Sequence, residues 1–307
     1  MANSRRGFLS KLGLTTAALS TLPRVSADPL NKPVGLQLYT VSAELGKDFN
    51  GTIRQIAAIG YKEVELAPTF GKSASELKTI FSDNGLTCRS AHMFDFSQTP
   101  QQFMDFAKEL GVKYVVTSFN PPPVVAAKFA GPNPDFTAIL KGLESMTLDD
   151  YKKSAEVANQ LGAEAKKRGL VYAYHNHNLE FKKYDGKPIF DTLLASTDPE
   201  TVKFEMDCGW VSAAGYDPVK YLKKYPERIS LLHIKAFKAG PPSIHLEGED
   251  KPTPTELGRG SLDYKPVFAA AAKGHVDQYY VEQEPPFTEM TPMEAIKVDY
   301  DYLHKLT

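Results

Sequence analysis

What most limits the folds open to this chain is its regular alternation of strand-like and helix-like segments. Eight short runs rich in Val, Ile, Leu, Tyr and Phe read as strands, at 33–39, 61–67, 86–92, 112–118, 170–177, 202–207, 229–235 and 277–284. Helical patterns follow them at 48–60, 73–84, 100–110, 149–168, 188–196, 217–224, 264–273 and 292–305, with Gly60 and Gly111 standing where helix C-caps belong. A strand that returns after an intervening helix runs parallel to the one before it. Eight such units in one run therefore predict a single closed (β/α)8, or TIM, barrel over 28–307. An open dinucleotide-binding sheet is disfavoured, because no G-x-G-x-x-G follows the first strand. Two long irregular stretches, 119–147 and 237–260, have the length of loops that cover a site.

The first 27 residues stand apart. Arg5-Arg6 precedes a weakly apolar run from Phe8 to Leu22, and Val25-Ser26-Ala27 closes it with small residues. That order is expected of an export signal, and the paired arginines resemble a twin-arginine leader, which implies a periplasmic or otherwise exported protein. No run of 18 apolar residues would span a membrane. A formal net charge of -1 gives no reason to expect a nucleic-acid partner. Two cysteines, Cys88 and Cys208, do not make a disulfide scaffold. The sequence is compatible with a homo-oligomer.

Barrel chemistry sits at the C-terminal ends of the strands. Polar residues collect there: Glu63 and Glu65 on the second strand, His92 on the third, His175 and His177 on the fifth with Glu180 just after, Glu205 and Asp207 on the sixth, His233 and Lys235 on the seventh, Glu282 and Glu284 on the eighth. His175 and His177 are two apart, a spacing that turns both rings to one face of a strand. Unpaired charges in a barrel mouth are costly, and a divalent cation would relieve much of that cost. Asp207, His233 and Glu282, with a fourth ligand from the fifth strand, would make a mixed oxygen and nitrogen site suited to one Mn, Zn, Co or Mg ion.

YHNHNLEF, FEMDCGW, LLHIKAF, LGRGSLD and YVEQE resemble the signatures of the sugar phosphate isomerase/epimerase-like family of xylose isomerase-like barrels, over about 33–305. The resemblance implies one divalent metal held by Glu, Asp, His and Glu on successive late strands, the last three falling on Asp207, His233 and Glu282. The fourth position departs from the pattern, because His175-Asn176-His177 stands where a glutamate is expected. Glu180 is the favoured ligand there and His175 the alternative. The shared chemistry is removal of a proton next to a carbonyl. His177 and His92 are candidate bases, with His175 orienting its neighbour or exchanging roles with it. Lys235 would neutralise an oxyanion or orient a hydroxyl, Glu65 would accept hydrogen bonds from substrate hydroxyls, and Trp210 would stack on a sugar face or pack a loop. The expected activity is isomerisation or epimerisation of a non-phosphorylated keto-sugar. The alternatives are a lyase, hydrolase or dehydratase acting on 3-keto-glycosides or inosose-like substrates, and a metal-free carbohydrate-binding barrel.

Overall fold

The computed structural model describes residues 28–93, 98–122 and 136–306. The proposed export signal lies outside these residues, as does part of the 119–147 stretch. The eight expected strands are all present: β1 (Gly35–Gln37), β2 (Glu63–Leu66), β3 (Thr87–His92), β4 (Tyr114–Ser118), β5 (Val171–His175), β6 (Val202–Asp207), β7 (Ile229–Ile234) and β8 (Gln278–Val281). They close in the order β1-β8-β7-β6-β5-β4-β3-β2, and every pairing is parallel. The molecule is the single (β/α)8 barrel that the alternation predicts.

Alternation along each strand separates two cores. On β5, Tyr172 and Tyr174 face outward into the layer beneath the helices, while Ala173 joins Tyr114, Val116, Leu231 and Tyr280 inside the barrel. That apolar layer plugs the lower part of the barrel. Several helices start on side-chain caps. Ser73, Thr99, Thr147 and Thr291 each form a reciprocal capping box, and Asp48 accepts from Gly51 N. Gly60 (φ 130°) and Gly111 (φ 93°) close their helices as expected, and a Cβ at Gly60 would meet the Tyr300 ring at 2.4 Å.

The structure trims several sequence-based boundaries. β5 ends at His175 and β8 at Val281, so His177 and Glu282 belong to the loops that follow. A short helix, Phe136–Glu144, lies within the stretch read as irregular, and another, Cys208–Ala213, directly follows β6. At the start of 237–260, Ala236–Phe237 pairs with Pro254–Thr255 in a two-stranded ribbon.

Candidate active site

Strand register sets the polar layer above the plug. His175 lies beside Glu205 across β5 and β6, and Asp207 beside His233 across β6 and β7. The register shifts immediately before Glu65 on β2 and immediately before Glu205 on β6. The extra residue falls on the partner strand each time, Arg89 on β3 and Ser230 on β7, and both glutamates are fully buried beneath the histidines.

The contacts form one continuous network. Glu205 Oε2 lies 2.8 Å from His92 Nε2, 3.0 Å from His175 Nδ1 and 3.2 Å from His233 Nε2. Glu65 Oε2 lies 2.6 Å from His233 Nε2 and accepts from Gln37 Nε2 at 2.8 Å. His233 Nδ1 faces Glu282 Oε2 at 3.0 Å. Lys235 Nζ touches Glu282 Oε2 at 2.7 Å, Glu284 Oε1 at 2.6 Å and Asp207 Oδ2 at 3.2 Å. Trp210 Nε1 also donates to Glu284 Oε1, and the Trp210 backbone N–H donates to Asp207 Oδ1 at 2.8 Å.

Charge follows from this packing. Burial alone would lower the His92 pKa, but Glu65 and Glu205 override it and push it up to about 10. Burial would likewise lower that of Lys235, and Asp207, Glu282 and Glu284 reverse the effect. Burial raises Asp207 to about 6 against the pull of Lys235 and His233. Burial, and then His233 and His177, keep His175 well below the ordinary imidazole value.

One potential ligand atom from each of His175, Asp207, His233 and Glu282 lies within 4.8 Å of the other three. A second quartet, His92, His175, Glu205 and His233, meets the same limit. The two share two histidines, which points to one divalent-ion site. The donors suit such an ion: Asp207 Oδ2 and Glu205 Oε1 are buried and accept no hydrogen bond from the described residues, although Lys235 lies close to the first.

The remaining expected residues fall as follows. Glu180 is fully buried in a 3-10 turn, Leu179–Phe181, where its oxygens accept from Tyr174 OH at 2.7 Å and His177 N at 3.0 Å. It belongs to neither quartet, and burial raises its pKa to about 7. His175 belongs to both. Glu65 is fully buried under His233 and Gln37 and does not border the cavity, so it is not placed to accept a substrate hydroxyl. His92 does border the cavity, with its Nε2 engaged by Glu205. His177 also borders it, beside His175, with a ring-centroid distance of 4.9 Å. Its ring stacks on Phe119 at 4.3 Å and leans on Trp210 at 5.8 Å, and its Nδ1 is buried without a hydrogen-bond partner among the described residues. Phe119 holds φ at 65°, a conformation bulky residues avoid, to make that stack. Trp210 is fully buried against Phe237 and Lys235, so it packs the loop and does not present a face to a sugar.

The sequence places Glu205 among the strand-end acids without assigning it a role, and does not single out Gln37. Both are visible only once strand register is known. The cavity above the network measures 260 Å³.

Fold and site together define a metal-dependent enzyme of the isomerase, epimerase or lyase type. The chain belongs to the xylose isomerase-like TIM barrel family, whose model matches residues 53–305. It is 26% identical over 276 residues to an inosose dehydratase of Clostridium perfringens, covering 83% of this chain and 89% of that one. An inosose dehydratase of Mesomycoplasma hyopneumoniae is 29% identical over 286 residues, covering 86% and 91%. Among solved structures, a sugar phosphate isomerase/epimerase from Parabacteroides distasonis superimposes with a TM-score of 0.68 at 26% identity, covering 89% of this chain and 97% of that one. Among the described residues no helix is long and apolar enough to cross a membrane.

Proposed function

We propose that this enzyme is a divalent-metal-dependent lyase that removes a β-substituent from a keto-sugar or keto-cyclitol. The inosose dehydratase relatives support a lyase over an isomerase. The observation that carries the reading is His177, a cavity-lining imidazole beside the metal-ligand group whose Nδ1 has no hydrogen-bond partner among the described residues.

His175, Asp207, His233 and Glu282 would hold the ion. Glu205 occupies His175 Nδ1, which leaves Nε2 for the metal, and Glu65 engages His233 Nε2 while His233 Nδ1 faces Glu282, itself a candidate ligand. A bound Mn, Zn, Co or Mg ion supplies a Lewis acid for a substrate carbonyl. The protein's own groups do the rest. The ring of His177, held by Phe119 and Trp210, takes the proton next to the carbonyl. The same imidazolium returns the proton to the departing oxygen, so no second acid is required. Lys235 keeps positive charge beside Glu282 and Glu284 at the cavity wall. We also propose export through the Arg5-Arg6 leader, on its charged, apolar and small-residue order.

The test is mass spectrometry of metal-loaded protein supplied with an inosose and with a 3-keto-glucoside. Loss of water from the first, or of the aglycone from the second, supports the lyase. Exchange of the α-hydrogen with solvent deuterium and no elimination from either would replace it with an isomerase or epimerase.

A further inference from the structure

The groups that would hold an ion lie deep. His175, Asp207, His233 and Glu282 are all buried, and the way to them runs through the cavity that His175 and Glu282 border. Two stretches of chain add to its wall: Ile139, Leu140 and Leu143 of the helix Phe136–Glu144, and Leu246, Glu247 and Lys251 from the segment after β7. They arise beyond β4 and β7, with β5 and β6 between those strands. Both are fastened to the loop after β5, which carries His177. Asn178, fully buried, donates through Nδ2 to Ser243 O at 3.1 Å and to His245 O at 3.0 Å. Lys182 Nζ donates to Glu144 O at 3.4 Å, and Tyr184 OH donates to Met146 O at 3.0 Å. Among the described residues, the polar contacts that join the two stretches directly both end on one atom. Glu144 Oε1 accepts from Leu246 N at 3.2 Å and lies 3.7 Å from His245 Nδ1. The Glu144 side chain is 29% exposed, so water competes for this bond as it cannot for those of Asn178.

We propose that Glu144 is a latch on the barrel mouth. Its bond to Leu246 holds the helix Phe136–Glu144 against residues 243–251, and ions and substrate enter and leave when that bond opens. Of the three edges that tie these segments together, this is the weakest. It has one N–H bond on a partly exposed acceptor, against two bonds from buried Asn178 on one side and two from Lys182 and Tyr184 on the other. Opening therefore parts the two covering stretches from each other before either leaves the loop after β5, and His177 keeps its place. Leu140, Leu143 and Leu246 are buried when the latch is shut, so burial of their side chains favours the closed form. The latch governs access and not the reacting atoms. It rests on the ion site and holds for a lyase or an isomerase alike.

The experiment mixes the zinc-loaded full chain with an excess of a chromogenic chelator and follows zinc release by absorbance, in wild type, Glu144→Ala and Glu144→Gln. Losing one hydrogen bond of ordinary net strength should raise the open population, and with it the release rate of Glu144→Ala, by ~5-fold. Glu144→Gln keeps an oxygen for Leu246 N and should stay within about 2-fold of the wild-type rate. Zinc content at saturation should be the same in all three. A second measurement needs no variant and no metal. In native-state hydrogen exchange the Leu246 amide should exchange faster than those of Phe181 and Lys182, whose N–H groups bond within the loop after β5 to Asn178 O and Leu179 O. An unchanged release rate in folded Glu144→Ala overturns the proposal, as does equal acceleration in the Gln variant. Slower exchange at Leu246 than at Phe181 and Lys182 overturns it too, and this arm decides alone if Glu144→Ala does not fold. A chain that binds no zinc would remove the ion site, and the exchange order would still decide the latch.

Discussion

Lys235 and Glu282 meet at 2.7 Å, and the Glu282 oxygen involved is the one His233 Nδ1 faces at 3.0 Å. A buried ammonium thus lies within reach of three carboxylates, Asp207, Glu282 and Glu284, two of which are candidate metal ligands. Removing one partner from a buried ionic cluster leaves charge without compensation. Lys235→Met should therefore destabilise the metal-free protein by about 3–5 kcal/mol in denaturant unfolding. Excess Mn should restore more stability to the variant than to the wild type, because the ion replaces the missing charge. Equal stabilisation of both by Mn would show that Lys235 and the ion do not share a charge field.

Glu180 and His175 make opposite predictions as the fourth ligand. Glu180 is held by Tyr174 OH and His177 N, whereas His175 stands among the ligand atoms with Glu205 behind it. His175→Ala should lose stoichiometric metal in elemental analysis, and Glu180→Gln should keep it. Asp207→Ala should lose it as well. Metal retained in His175→Ala and lost in Glu180→Gln would reverse the assignment.

How much of this was legible before the structure depends on what each feature requires. Strand and helix positions are carried by local apolar periodicity, so the eight units and the closed barrel could be read directly. So could the crowding of His92, His175, Asp207, His233 and Glu282 at strand ends. The division of labour could not, because it depends on which side chains meet across neighbouring strands. Glu65 looked like a sugar contact until the pairing of β2 with β1 and β3 put it under His233. Glu180 looked like a ligand because it was the nearest carboxylate in sequence, but the 3-10 turn at Leu179–Phe181 directs it toward Tyr174. Trp210 could be read as a stacking platform or as loop packing, and the helix beginning at Cys208 buries it in the second role.

Gly209 is needed where it stands. A Cβ there would lie 2.6 Å from the Lys235 carbonyl oxygen and 2.9 Å from its Cβ. The close approach lets the chain turn straight from Asp207 into the Cys208–Ala213 helix, whose Trp210 N–H holds Asp207 Oδ1. Gly209→Ala should cost about 1–3 kcal/mol in unfolding free energy and weaken metal binding through Asp207. Unaltered stability and metal affinity together would mean that the β6 and β7 ends are not locked as described.

Asp299 gives a pH dependence separate from the site. It is buried on the last helix, Pro292–His304, and accepts from Leu257 N at 2.7 Å, which fastens the segment that follows the ribbon. Burial, reinforced by Glu256 and opposed by the Leu257 N–H and Arg259, raises its pKa to about 8. In the unfolded chain an aspartate titrates at about 3.9. The folded state therefore holds the proton more tightly, and this contribution to stability is complete below about pH 4 and is lost as pH rises to about 8. The slope attributable to one such proton is at most ~1.4 kcal/mol per pH unit. Asp299→Asn keeps an oxygen for Leu257 N and removes the titration. The variant should gain on the wild type as pH rises from 5 to 8, read as the difference in unfolding free energy at each pH. Glu256→Gln separates the neighbour's influence, since it should lower the Asp299 pKa, so that the fall in stability ends at a lower pH and is smaller in total. A constant difference between Asp299→Asn and wild type across that range would show that Asp299 is ionised throughout and that its bond to Leu257 is a charged one.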